Sequence, residues 1–287
     1  MSNATGTNVL LAAAELAMRL SRKYVEPYSH RNSPHKFTQA QLLSCLVLKA
    51  YLKTTYRGLI DILDASDALR KRLGLERLPH YSTLKKFADR SSVLEVIDAM
   101  LVEIVREFAQ EGDQEAAIDS TGLETTSASA HFKTRSGRKG TKYVKLSICV
   151  MTGSLLPASV VASWGPANDK QEAPELLAKS TTAVQPQRLF ADAGYDAEWV
   201  HAYCREEWQV ESVIKPAMHR SDGGLNGRYR SQMTEETLKA KNYGRRWLVE
   251  SFMSGLKRTT GSALQARSER TLFVEAALRV LAYAIRR

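Results

Sequence analysis

The sequence predicts an α/β protein, a mixed sheet with flanking helices preceded by an all-helical region, on three observations. Apolar residues recur at helical spacing through the first 112 residues or so. Short β-type runs take over after Glu111-Gly112-Asp113. Strands and helices then alternate toward the C-terminus, as in chains that build helices around a sheet. The expected division is a helical region over 1–112 and a sheet-containing region over 113–287.

In Val9 to Tyr24, residues Val9, Leu10, Ala13, Leu16, Ala17 and Leu20 fall on one helical face. The polar stretch Glu26 to Lys36, with two prolines, ends that helix. Thr38 to Lys53, Tyr56 to Leu73, Ser82 to Asp89 and Val93 to Phe108 read as further helices, separated by Gly74, Pro79 and the Ser91-Ser92 pair. Pro79 to Phe87 can open a helix capped by Ser82. Two short helices joined by a tight turn also build helix-turn-helix DNA readers, although a capped helix in a bundle explains the same residues. Beyond residue 113 the expected strands are Ala116 to Leu123, Tyr143 to Met151, Leu156 to Trp164, Gln187 to Ala191 and Val210 to Ile214. The expected helices there are Glu172 to Lys179, Ala197 to Glu207, Thr234 to Lys241, Tyr243 to Arg258 and Thr271 to Arg286.

Composition narrows the class. At 287 residues, 44% hydrophobic and 25% charged, the chain can bury a core without staples, and it carries no repeat or low-complexity tract. Cys45, Cys149 and Cys204 are far apart and lack CxxC or Cys/His spacing, so neither disulfides nor a zinc site is expected. A reducing, cytoplasmic setting follows. Val9 to Met18 is interrupted by Glu15, and no 18-residue apolar run exists, so neither a signal peptide nor a membrane span is expected.

The net charge of +10 points to a polyanion, and its placement says more than its size. Val213 to Arg287 holds four Lys and eleven Arg against one Asp and five Glu, which is +9 of the total. A second run, His131 to Lys145, carries Lys133, Arg135, Arg138, Lys139, Lys142 and Lys145 with no acid. Ser136 and Gly137 make it loop-like, and six cations without a carboxylate favour phosphate contact over a merely solvated turn. His131 stands beside it, but a lone histidine supports no separate role.

Three carboxylates sit where chemistry is usually placed. Asp119, in Ala117-Ile118-Asp119-Ser120-Thr121-Gly122, is delivered by a strand of small apolar residues. Its plain structural reading is a turn or edge Asp bonded to nearby amides. Asp192, in Leu189-Phe190-Ala191-Asp192-Ala193-Gly194-Tyr195-Asp196, also ends a hydrophobic strand, at the sheet edge where α/β folds bind ligands. Asp196 has an N-cap role available on the Ala197 helix, which leaves Asp192 as the better catalytic candidate. Glu250 lies within Tyr243 to Arg258, where Leu248, Val249, Phe252 and Leu256 make an apolar face and Tyr243, Arg246, Glu250 and Lys257 the opposite one. An ordinary exposed stripe with an Arg246–Glu250 ion pair worth a few tenths of a kcal/mol explains that spacing equally well. Three converging carboxylates can hold Mg²⁺, and two such ions would serve phosphodiester displacement.

These motifs, taken together and in order, resemble the DDE transposases of bacterial insertion sequences, the IS4/IS5-like group. That group's glutamate helix carries Tyr, two residues, Arg, three residues, Glu, six residues, Lys, and Tyr243, Arg246, Glu250 and Lys257 meet every interval of this YREK signature. Ile118-Asp119-Ser120-Thr121 resembles the first aspartate motif and Ala191-Asp192-Ala193-Gly194-Tyr195-Asp196 the second. Intervals of 73 residues from Asp119 to Asp192 and 58 from Asp192 to Glu250 leave little room for the large β insertion of some relatives. The resemblance therefore implies a compact ribonuclease H-like domain. It covers roughly residues 113 to 265 by motif.

The resemblance further implies that Asp119, Asp192 and Glu250 are catalytic and bind Mg²⁺, with Mn²⁺ able to substitute. Tyr243, Arg246 and Lys257 would contact phosphates beside the scissile bond, and Lys133, Arg135, Arg138 and Lys139 the DNA backbone. The implied reaction is hydrolysis at a transposon end, then transesterification by the freed 3′-hydroxyl onto target DNA. The implied partners are double-stranded DNA, as terminal inverted repeats and target, and a second copy in a homodimer on DNA. The helical region over 1–112 would recognise the repeats by analogy alone. Asp169, in Asn168-Asp169 after Pro166, is the chief rival carboxylate; Glu172 and Glu175 nearby fit it to a helix start. Trp247 is left outside the site, since a tryptophan next to an apolar face is more often core. A metal-dependent nuclease or resolvase on the same scaffold is the alternative enzyme, and a non-cutting transposase-derived DNA-binding protein the alternative from another class.

Overall fold

Several helices in this chain start where polar side chains accept the free amides of a first turn. The computed structural model describes residues 8–109, 112–125, 142–217 and 224–287. Helix α1 (Val9–Tyr24) begins at Asn8, whose side chain accepts from Leu10 and Leu11. Helix α2 (Gln39–Tyr51) begins at a capping box: Thr38 Oγ1 accepts the Gln41 amide at 3.2 Å and Gln41 Oε1 the Thr38 amide at 2.8 Å. The single helix expected over Tyr56 to Leu73 is two, α3 (Tyr56–Asp64) and α4 (Asp67–Arg72), because Ser66 caps a new start. Helix α5 (Tyr81–Ala88) is capped by His80 rather than by Ser82, and α6 (Ser92–Phe108) follows.

Two compact units result: Met1–Glu103 with Thr259–Gly261 and Ala266–Arg287, and Ile104–Arg258 with Ser262–Gln265. The first is helical, around fully buried Leu43, Leu46, Leu48, Leu59, Leu63, Leu73 and Leu84. By compactness, α11 (Glu269–Arg286) groups with the helical unit. The reason is burial on almost every side, from Leu272 to Ala284. Ala282 meets Ala13 and Tyr51, and Arg286 donates to the Tyr51 carbonyl at 2.8 Å with its guanidinium 4.1 Å above the Tyr51 ring. Periodicity identifies such a helix as buried without naming the core that buries it.

The second unit is a five-stranded sheet. Strands β1 (Glu115–Leu123), β2 (Tyr143–Met151) and β3 (Pro157–Gly165) form an antiparallel meander, while β4 (Arg188–Ala191) and β5 (Glu211–Ile214) run parallel to β1. The order β3-β2-β1-β4-β5 is the ribonuclease H-like arrangement. Helix α7 (Asp169–Ala183) follows β3 and packs on it, and α8 (Glu198–Ala202) runs into a π-helical turn, Tyr203–Glu207, between β4 and β5. After α9 (Glu235–Ala240) comes α10 (Trp247–Thr260), which buries Val249, Phe252, Met253 and Leu256. Phe252→Ala removes a fully buried ring and is expected to destabilise the unit by about 3–5 kcal/mol, read from denaturant unfolding. No helix of the described residues is long and apolar enough to cross a membrane.

Candidate active site

Parallel pairing places the first two carboxylates. Ile118 of β1 is in register with Ala191 of β4, so Asp119 and Asp192 are the next residues on neighbouring strands, which lie about 4.8 Å apart. Asp192 directly follows the end of β4, and Asp119 directly follows the last β1 residue that pairs with β4. Asp119 is a half-buried β1 residue whose Oδ1 accepts the Ser120 amide at 2.7 Å. Asp192 is not without a local role: it caps the short 3₁₀ turn Ala193–Tyr195, its Oδ1 accepting the Gly194 amide at 2.8 Å. Asp196 does not cap α8, whose N-cap residue is Ala197 and carries no side-chain cap. It is buried in a two-point pair with Arg230, at 2.7 and 2.6 Å, and accepts the Ala217 amide. Burial raises its pKa, but those bonds outweigh it and hold the carboxyl below its ordinary value.

Glu250 comes from the third element. The continuous helix expected from Tyr243 is instead a 3₁₀ turn, Tyr243–Arg246, followed by α10; Asn242 in the left-handed region, φ 57°, breaks the chain away from α9. The turn brings Tyr243 to β4, where its hydroxyl donates to the Ala191 carbonyl at 3.1 Å, and burial pushes that phenol up to about 12. Arg246 then reaches back to the sheet. Its Nη1 lies 3.2 Å from Asp119 Oδ2, and its Nη2 pairs with Glu250 Oε1. The i,i+4 ion pair is present, but the same guanidinium also reaches a catalytic candidate 127 residues away in sequence. Lys257 lies two turns further along α10, about 10 Å from Glu250 by helix rise. It is half-buried, and desolvation lowers its pKa against the opposing effect of Glu124.

Charge in this corner is unbalanced. Burial, chiefly, and then Asp192 and Glu250 push the Asp119 carboxyl up to about 6, although the Ser120 amide and Arg246 act the other way. Behind it, Tyr195 is fully buried and its hydroxyl bonds Ser120 Oγ at 2.9 Å, which in turn bonds Ser147 Oγ at 2.9 Å. Among the described residues, no group of three His, Cys, Asp or Glu side chains stands close enough to hold one metal ion. The Arg246 guanidinium occupies the place between Asp119 and Glu250.

Other candidates fall out differently. Lys133, Arg135, Arg138, Lys139 and His131 lie outside the described residues. Lys145, counted with them by sequence, is buried and bonded to Asp169 and Glu172. Asp169 does not cap α7, a role taken by Asn168; it turns toward Lys145 and Gly194 beside Asp192. The signal for this group was a lysine at the third position of an apolar strand, Tyr143-Val144-Lys145-Leu146, where solvent-facing charge does not belong. Trp247 is 57% exposed rather than core.

Residues 110–285, more than half of the chain, match the model of the family described as "Transposase DDE domain". A structure titled "Cryo-EM structure of piggyBac transposase synaptic complex with hairpin DNA" is similar at TM-score 0.48 and 12% identity, over 97% of this chain and 72% of that one. No curated protein sequence matches significantly. With the family model spanning residues 110–285, and with them Asp119, Asp192 and Glu250, the chain belongs to the transposase DDE domain family.

Proposed function

We propose that this chain is the transposase of a bacterial insertion sequence of the IS4/IS5-like group, cleaving phosphodiester bonds at the element's ends and joining the freed 3′-hydroxyl to target DNA. The observation that carries this is the parallel register setting Asp119 beside Asp192, with Arg246 spanning Asp119 and Glu250. A nuclease or resolvase needs the same carboxylates, so joining is the decisive property. Given a duplex with a pre-cleaved 3′-hydroxyl end, a target plasmid and Mg²⁺, the protein is expected to give joined product; cleavage without joining favours the nuclease.

Asp119, Asp192 and Glu250 are the proposed ligands of Mg²⁺, for which Mn²⁺ can substitute. The donor chemistry fits: all three are hard carboxylate oxygens, and burial holds the Asp119 carboxyl up at about 6, where a bound cation would favour the ionised form. Bound divalent cations supply activation of the attacking hydroxyl and stabilisation of the leaving oxygen. The chain's own part is to orient. Tyr243 ties the turn to β4, Arg246 offers a two-pronged guanidinium, and Lys257 a point charge along the same helix, for phosphates flanking the scissile bond. Lys133, Arg135, Arg138 and Lys139 are assigned to the DNA backbone, and the helical region over 1–112 to the terminal repeats. A homodimer on DNA, in the cytoplasm, completes the proposal, since two ends must be held together. Lys257→Ala is expected to weaken DNA binding and reduce the slope of log K against log salt by about one. An unchanged slope removes Lys257 from the phosphate contacts.

A further inference from the structure

Lys145 is 4% exposed, at the third residue of β2, and a lone buried ammonium costs several kcal/mol unless paired. Its Nζ donates to Asp169 Oδ1 at 2.8 Å, to Glu172 Oε2 at 2.7 Å and to the Ala167 carbonyl at 2.9 Å. An ammonium has three donors, so none remains for a phosphate. Ser163 Oγ holds the other Glu172 oxygen at 2.9 Å, which locks the buried end of the group. Burial disfavours the charged amine, but the two carboxylates outweigh it and raise its pKa.

The other end of this group reaches the site. A Cβ on Gly194 would collide with Asp169 Oδ2 and stand 2.9 Å from Asp192 Oδ1. Two carboxylates thus flank a residue that has no side chain, and that residue's amide is bonded to Asp192 Oδ1. Like charges this close repel, and the Lys145 ammonium, shared between Asp169 and Glu172, offsets part of that repulsion.

We propose that Lys145, Asp169 and Glu172 form a positioning device for Asp192: the buried ammonium holds Asp169 against Gly194, and the Gly194 amide aims the Asp192 carboxylate. Lys145 makes no contact with DNA. This rests on the proposed role of Asp192 as a metal ligand. Residues that orient ligands from behind typically change metal affinity by about 10–100-fold when replaced.

The test titrates the full-length protein with Mn²⁺ alone, by calorimetry, and measures the salt slope of DNA binding. Asp169→Ala, Lys145→Met and Gly194→Ala are each expected to weaken Mn²⁺ binding by about 10–100-fold, with the salt slope of Lys145→Met unchanged. Lys145→Met strands two buried carboxylates, so Gly194→Ala, which keeps every charge, is the deciding variant. Wild-type Mn²⁺ affinity in folded Gly194→Ala and Asp169→Ala, with affinity lost in Asp192→Ala, overturns the positioning role alone. Wild-type affinity in Asp192→Ala overturns the metal-ligand reading, and this inference with it. A slope reduced by about one in Lys145→Met puts that lysine on DNA after all.

Discussion

Asp192→Ala is expected to abolish divalent-metal-dependent cleavage of a terminal-repeat duplex while leaving duplex binding intact, and Asp119→Ala and Glu250→Ala to do the same. Metal-assisted displacement draws several kcal/mol of transition-state stabilisation from the ions, so losing a ligand should cost on the order of 10³-fold or more in rate. Binding should survive because DNA affinity comes mainly from cations spread over the chain, not from three carboxylates that repel phosphate. The three losses should be strongly non-additive, since the residues act as one unit. Cleavage within tenfold of wild type in any single variant, measured on an end-labelled duplex, would remove that residue from the site.

Asp119→Asn should make the metal-free protein more stable even as it removes activity. Asp119 is pushed from 3.8 to about 6, so between those values the folded chain keeps a proton that the unfolded chain has lost. Stability tied to that proton is fully present below pH 3.8 and is lost as pH rises through about 6. At pH 7 the ionised carboxylate therefore costs up to about 3 kcal/mol, which an asparagine does not. His201 opposes this in the raw profile. Burial first, then Arg205, push its imidazole down to about 4, so its contribution is present above pH 6.5 and lost as pH falls toward 4. The difference in unfolding free energy between wild type and Asp119→Asn, across pH 4 to 7 in chelator, isolates Asp119. A flat difference rules out a carboxyl raised by burial at Asp119.

Much of the fold was legible because its signals are local. The five strands lie within one or two residues of the apolar runs that predict them, since a β run buried on both faces is a continuous stretch. Helix starts were less legible. Ser82 and Asp196 have the right chemistry for caps, but His80 caps α5 and Arg230, from a later segment, claims Asp196. The break at Ser66 was missed because apolar spacing runs through it, although Ser66 itself carries a capping side chain.

The candidate site divides along the same line. Residue type and spacing single out Asp119, Asp192, Glu250 and the Tyr243, Arg246, Lys257 series, because each is a short-range pattern: a carboxylate closing an apolar strand, or fixed intervals on one helix. What those patterns do not carry is which backbones become neighbours. Register between β1 and β4 makes Asp119 and Asp192 adjacent across 73 residues of chain. A left-handed Asn242 and a 3₁₀ turn carry Arg246 onto Asp119. Packing of β2 against α7 turns Lys145 from an expected surface cation into a buried one bonded to Asp169 and Glu172, and packing around Ala282 groups the last helix with the helical unit. Pairing, burial and charge compensation are relations between distant segments, and they exist only once those segments have come together.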